Sequence, residues 1–307
     1  MDKRKNGIAL FITLMVIASI MSIMAVSFSY LEKVQKEAGA TSALIQANLL
    51  YGNTIDVLKR FFPAGSDNGD KLTLLYTMPL MLNEEKSGFA LNLTCKALMV
   101  GVPISWLAIE TATGNSEKST LAKDILIYII ELYEIEDPNG LEETLTQAIT
   151  GKALKNSDFE SRLKIQKGIT SKQQFDRLIT DYALEYDDPK ALSIPWDKYF
   201  IFIPVNAKTK IDGAYPSAEF VSAAFDIPIE IVQEGWYSDI NTQTTTTLAS
   251  FLKDNGFSQP VNKKIYTDKA INAMHCEQTF AYQERQYKFK FNYIEGRSSN
   301  FEFNGQE

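Results

Sequence analysis

Asn6-Gly7-Ile8-Ala9-Leu10-Phe11-Ile12 opens an uncharged, mostly apolar run that reaches about Tyr30, behind the short leader Met1-Asp2-Lys3-Arg4-Lys5. A helix of roughly 20 apolar residues crosses a hydrocarbon layer of about 30 Å, so residues 8–30 read as a membrane span. Three basic residues precede the run, and the first charges after it are Glu32 and Lys33. The positive-inside bias keeps the leader in the cytoplasm and exports everything after Tyr30. Two plainer readings stand beside this one: a single-span anchor, and a cleaved signal peptide with Ala25-Val26-Ser27 as its small-residue site. Against the signal peptide, the run exceeds the usual core of about 7–15 residues, and helical patterning continues through that site.

Beyond the run, Ala40, Ala43, Leu44, Ala47, Leu50, Tyr51, Ile55, Leu58 and Phe62 recur at spacings of three and four, which is one face of a helix. Joined to the membrane segment they predict a helix of about 55 residues, near 80 Å at 1.5 Å per residue. A juxtamembrane coiled coil is the alternative for the second half, although sustained heptads are missing. Gly39 and Gly52 each weaken the helix by about 1 kcal/mol relative to alanine and are read as points of bending or close packing. Pro63 and the polar, glycine-containing stretch 64–70 end it.

Lys3-Arg4-Lys5-Asn6-Gly7 followed at once by Ile8-Ala9-Leu10-Phe11-Ile12-Thr13-Leu14 resembles the class III signal of type IV pilins and pseudopilins. The resemblance implies that a prepilin peptidase cuts between Gly7 and Ile8, that Ile8 is then methylated, and that the apolar segment is kept. A glycine without Cβ lets the backbone extend into a protease cleft. Most of the family carries glutamate five residues into the mature chain, where this sequence has Ile12. An intramembrane carboxylate is costly and is kept where it has a use, in this family to meet a neighbour's amino terminus. Within type II secretion, the minor pseudopilin K (GspK) family lacks that glutamate, is unusually large, and is thought to cap the fibre tip. The chain resembles that family in both respects, over about its first 60 residues by helical periodicity. A tryptophan- and aspartate-rich insert segment is missing here, and Asp239-Ile240-Asn241-Thr242 only faintly echoes a family turn that ordinary capping also explains.

The remainder is rich enough in apolar residues to bury a core, at 45% hydrophobic and 11% aromatic. The formal charge is −7; losing Asp2, Lys3, Arg4 and Lys5 removes a net +2 and leaves −9, which argues against nucleic acid as a partner. No long repeat and no glycine-rich phosphate loop occurs, and the threonine quartet 244–247 is too short to interpret. Residues 72–76, 89–94 and 102–109 read as strands, the last with Pro103 at its start or at an edge. Residues 119–134, 141–149, 159–165 and 171–182 read as helices, with caps at Ser157, Asp158 and Ser171. Strand signals return at 196–205. Tyr215-Pro216-Ser217-Ala218-Glu219 starts a helix, and another spans 246–255 and stops at Gly256. Residues 278–282 and 287–294 are strands; in the latter Tyr287, Phe289, Phe291 and Tyr293 alternate with Lys288, Lys290 and Asn292.

The expected fold is α+β: a long N-terminal transmembrane helix packed on a pilin-like antiparallel sheet, with an inserted mainly helical domain. The divisions are a leader 1–7, the helix 8–62 (8–30 in the membrane, the rest periplasmic), sheet 71–113, helical insert 114–260 and sheet 261–307. A separate helical domain is the alternative, since element order alone constrains topology weakly.

Catalytic signals are sparse. His275 is the single histidine and adjoins Cys276, but adjacent side chains do not naturally face one another as nucleophile and base. As the only two cysteines, Cys95 and Cys276 are the candidate disulfide of an exported chain, provided their Cα atoms come within reach. The acidic stretches 134–140 and 186–188 offer oxygens suited to calcium, which some pseudopilins bind, although neither matches an EF-hand and a solvated loop explains them equally. No other cofactor is expected. The resemblance implies a non-enzymatic minor pseudopilin in the bacterial inner membrane, single-pass, with its C-terminal domain in the periplasm. Its implied partners are prepilin peptidase, other minor pseudopilins, the secretion system's inner-membrane platform and the lipid bilayer. The alternatives are a large minor pilin of a type IV pilus and a membrane-tethered periplasmic enzyme or ligand-binding protein.

Overall fold

The computed structural model describes residues 3–84, 89–109, 116–151, 168–203, 209–236, 247–257, 261–282 and 285–304; side chains at 3–20, at several positions from 23 to 40, and at 82–84, 89 and 282 lie outside the description. Helix α1, Lys3–Phe61, is 59 residues long, about 88 Å at the α-helical rise. Ala43, Ala47, Ile55, Leu58 and the following Phe62 are buried, whereas Ile45 and Leu49 on the opposite face are exposed. Alanines at two of the contact positions let the helix axis approach the layer beneath it. Leu44 falls at the margin of this face and is exposed. A Cβ on Gly52 would meet nothing, so close packing within this chain is not the reason for that glycine. The helix stops where Pro63 can no longer supply an amide donor. Among the described residues no helix is long and apolar enough to cross a membrane, and the predicted span 8–30 falls mostly outside the described side chains.

The strands are β1 Leu80–Glu84, β2 Phe89–Ala97, the two-residue β3 Val102–Pro103 and β4 Phe200–Ile201, then β5 Ala273–Tyr282, β6 Arg285–Ile294 and β7 Arg297–Asn304. Five of them form one antiparallel sheet in the order β1-β2-β5-β6-β7, and β3 pairs β4 in parallel apart from it. The alternation read in β6 sets its register. Tyr287, Phe289, Phe291 and Tyr293 are buried beneath α1, with Tyr51 edge-on to Phe291 at 5.3 Å, while Lys288 and Lys290 pair with Glu277 on the other face at 2.6 and 3.5 Å. The β6–β7 hairpin turns through Glu295 and Gly296, both at positive φ, the twist-matched geometry of a two-residue loop.

Between β2 and β5 the chain leaves the sheet and builds a second core. Its helices are α3 Ser116–Leu132, α4 Pro138–Thr150, α5 Lys172–Glu185, α6 Trp196–Tyr199, α7 Ala218–Phe225, α8 Ile229–Trp236 and α9 Leu248–Asp254; α2, Gly69–Thr77, lies before the sheet. Asp137, Ser171, Ser217 and Thr247 cap α4, α5, α7 and α9 by accepting from the amides of Gly140, Gln174, Phe220 and Ser250. The buried cluster of this insert runs from Val102 to Tyr266 around Trp106, Ile129, Phe175 and Phe220.

Three expected strands differ. Residues 72–76 lie in α2, because Leu72 and Leu75, three apart, are the two that face the core. At 102–109 the strand lasts two residues and gives way to a 3₁₀ turn, Ile104–Ala108, that buries Ile104, Trp106 and Leu107 together. At 196–205 the chain first makes α6 and then β4; with Trp196, Tyr199, Phe200 and Ile201 all buried, periodicity does not separate helix from strand. Strands β1 and β7 and helix α8 carried no expectation. The expected helix 159–165 with Ser157 and Asp158, and the segment 239–242, lie outside the described residues.

Candidate functional site

The predicted processing pair, Gly7 and Ile8, lies on the first turns of α1, and its side chains, like that of Ile12, are outside the described residues. Cys95 of β2 and Cys276 of β5 are direct partners in the antiparallel register, and their sulfurs are bonded at 2.01 Å with Cα atoms 4.1 Å apart. Both are buried under α1. The bond joins the last strand before the insert to the first strand after it. Cys276 is therefore no thiolate, and His275, the next residue along β5, points to the opposite face, where its Nδ1 lies 2.7 Å from Asn292 Oδ1. Burial holds the His275 imidazole below its ordinary pKa. The two do not form a nucleophile–base pair.

The acidic stretches 134–140 and 186–188 meet in space. Asp188 is fully buried and its Oδ2 accepts the Glu136 amide at 2.9 Å; the Tyr182 hydroxyl lies 2.9 Å from the Asp137 carbonyl and 3.2 Å from Asp188 Oδ2. Burial, with Asp188 beside it, pushes that phenol pKa up. Asp137 Oδ1 is committed to capping α4, and Lys190 Nζ donates to the Glu134 carbonyl at 3.1 Å and lies 3.5 Å from Glu136 Oε1. Calcium needs about six to eight oxygens. Only Asp188 Oδ1 is buried without a partner here, and among the described residues no three carboxylate, histidine or cysteine groups stand together as a metal site. These residues do not fit calcium as placed. They tie the α3–α4 turn to the α5 exit, with Lys190 supplying the positive charge.

The polar centre that sequence reasoning missed lies where the insert meets the sheet. Asp212, 1% exposed, accepts the amides of Ala214 at 2.7 Å and Ile271 at 2.8 Å. The next residues carry Tyr215 onto α2, where its hydroxyl is 2.6 Å from Thr73 Oγ1 and donates to the Gly69 carbonyl at 3.2 Å. From α2, Tyr76 donates to the Ala273 carbonyl at 3.2 Å. Buried Asn272 holds the corner after α1, accepting from Asn68 at 3.0 Å and donating to the Pro63 carbonyl at 3.0 Å. Glu295 of the β6–β7 turn accepts the amides of Asn272 and Gly65, and Tyr293 donates to the Phe62 carbonyl. Gly213 is required by close approach, since a Cβ there would collide with the Thr267 carbonyl. Burial raises the Asp212 carboxyl to about 7, against the opposing pull of its backbone donors. Lys210-Ile211-Asp212-Gly213 reads in sequence as an ordinary turn, and nothing local marks the aspartate as buried.

These features define an α+β protein in which one long helix lies across an antiparallel sheet and a helical insert grows from between two neighbouring, disulfide-linked strands. A chain of the GspK-GspI-GspJ complex from the type 2 secretion system of enterotoxigenic Escherichia coli is similar to it, with a TM-score of 0.49 and 10% identity over 86% of this chain and 98% of that one. No protein-family model matches the chain, and no curated protein matches it.

Proposed function

We propose that the chain is a minor pseudopilin of a type II secretion system, of the GspK kind, acting as a structural subunit at the tip of a short periplasmic fibre. The observation that carries this reading is the division of labour along α1. Its far half lies on the sheet through Ala43, Ala47, Ile55 and Leu58, while Met21, Met24, Phe28 and Leu31 of its near half are exposed, behind the basic leader and Gly7. An apolar, projecting half-helix suits storage in a bilayer followed by packing among other helices. On this reading a prepilin peptidase cuts after Gly7, Ile8 is methylated, and the subunit waits in the inner membrane, single-pass, with its folded domain in the periplasm.

Ile12 in place of the usual glutamate gives up one intersubunit charge pairing, and the bulky insert needs free space above it. Both suit a subunit with no neighbour stacked on top. Its partners are then other minor pseudopilins and the inner-membrane platform, and its role is assembly rather than catalysis. N-terminal mass spectrometry of the protein from its native membrane tests the reading. A chain beginning at methylated Ile8 is expected; an intact Met1 would reduce it to a simple anchor, and a start near Phe28 would make it a released exported protein. Gly7→Val is expected to block this shortening while leaving membrane insertion intact, and a normally shortened product from that variant would remove the peptidase from the account.

A further inference from the structure

We infer that β1 is a strand-acceptor edge: an extended apolar segment of another protein chain, with a carboxylate at one end, adds beside it as a sixth strand. The sheet has two edges, and they differ. Along β7, Arg297, Glu302 and Asn304 are exposed, the pairing with β6 shifts register between Lys290 and Asn292, and Asn300 stands at positive φ. The Asn300 side chain also donates to the Thr170 carbonyl of the insert at 2.7 Å. Exposed charge, a bulge and a covering segment are the usual defences of a sheet edge. β1 shows neither bulge nor cover. It pairs β2 in unbroken register from Leu80 to Glu84 and holds no proline, and among the described residues no strand lies on its other side.

Beside that edge the surface is apolar. Leu72 and Leu75 take α2 into the core, which turns Lys71, Leu74 and Met78 outward at spacings of three and four. Lys71 Nζ donates to the Phe61 carbonyl at 3.5 Å and so brings the end of α1 to the start of this row. At the other end Pro79 leads into β1, where Leu80 pairs with buried Leu93 and projects on the face that α1 and α2 cover. Phe61, Leu74, Met78 and Leu80 are each 49–60% exposed. Single exposed leucines need no explanation, but a contiguous row of large apolar side chains marks an interaction site.

The two features together select the occupant. A helix or a flat protein face would cover the apolar row and leave the backbone of β1 without its second set of hydrogen bonds. An extended segment satisfies both, its main chain on β1 and its alternate side chains against Leu80, Met78 and Leu74. The side chains between them fall on the opposite face of the sheet, where Met81 is exposed as well. Lys71 adds a charge requirement. It is exposed, no carboxylate pairs with it among the described residues, and it stands about 10 Å along the helix from Met78. A segment that follows the row from β1 toward Phe61 therefore meets a cation at its end, and an aspartate, a glutamate or a terminal carboxylate answers it.

The probe is a labelled peptide of about eight residues, alternating valine and threonine with an aspartate at each end. It is added to the full chain in detergent and followed by fluorescence anisotropy and by hydrogen exchange. Exchange across 80–84 is expected to slow on binding, with peptides within β6 as the level reference. Leu74→Glu combined with Met78→Glu, both at exposed positions, should weaken binding about tenfold or more. Lys71→Glu should weaken it about threefold, and more at low salt. The same peptide N-methylated throughout keeps its side chains, loses its donors and should not bind. Unchanged exchange at 80–84 under millimolar peptide, equal binding of the N-methylated peptide, or undiminished binding by the Leu74→Glu and Met78→Glu variant would each overturn the inference.

Discussion

Removing the disulfide by changing both Cys95 and Cys276 to alanine should lower the stability of the protein more than any single core truncation. The bond closes a loop of 181 residues, which contains the entire insert. In the chain-entropy account such a loop restricts the unfolded ensemble by about 5 kcal/mol, an upper figure because residual structure in the unfolded chain reduces it. The physical point is where the restraint acts. Cys95 and Cys276 face each other on β2 and β5, the strands from which the insert departs and to which it returns. With the bond in place the insert can open while the sheet stays paired. Without it, opening the insert also frees two strands whose ends then search a long loop. The assay is thermal unfolding of the full chain in detergent, oxidised wild type against the double variant, with separate probes on the insert and the sheet. At about 2–4 °C per kcal/mol for a domain of this order, the expected fall is about 10–20 °C, accompanied by merging of the insert and sheet transitions. A loss below about 1 kcal/mol, or a wild type whose gel mobility is unchanged by reductant, would refute the reasoning.

Gly213→Ala should destabilise by about 1–3 kcal/mol, because its Cβ meets the Thr267 carbonyl in a packed joint; urea unfolding would show it, and a neutral result would mean that the joint yields. Thr54 on α1 is the described partner of buried Gln278 Oε1 at 2.8 Å, and Gln278 Nε2 is buried without a partner. Thr54→Val alone should therefore cost about 1–2 kcal/mol, and adding Gln278→Leu should recover it; a double variant weaker than the single one would contradict the packing argument. Since the acidic turns around Asp188 do not fit calcium, chelator should leave hydrogen exchange of peptides 134–140 and 186–188 unchanged, whereas Asp188→Ala, which strands the Glu136 amide and leaves the Tyr182 hydroxyl with the Asp137 carbonyl alone, should lower stability by about 1–3 kcal/mol.

Long-period patterns were readable and short apolar runs were not. The three-and-four spacing from Ala43 to Phe62 and the alternation of residue types in β6 each identify an element and its apolar face, although Asn292 on the polar face of β6 is buried as well. The capping Ser171 shows itself for the same local reason, accepting an amide bond within three residues of its own position, whereas Ser217, which caps α7 in the same way, was legible only as part of a helix start at 215–219. Residues 72–76 and 196–201 misled, since a stretch of five or six residues holding four apolar or aromatic ones fits either a helix turn or a buried strand, and packing partners far along the chain decide between them.

By itself the sequence determined the long helix, the basic residues Lys3, Arg4 and Lys5 ahead of its apolar run, the α+β composition and the existence of two cysteines, all of which follow from residue chemistry within a few turns of chain. Only the tertiary structure decided that those cysteines are cross-strand neighbours, that the acidic stretches join two turns of the insert, and that Asp212 is buried at its root. The reason is range. Burial, register across 181 residues and the desolvation that shifts a carboxyl are set by which distant segments come to cover a side chain, and no local pattern encodes that cover.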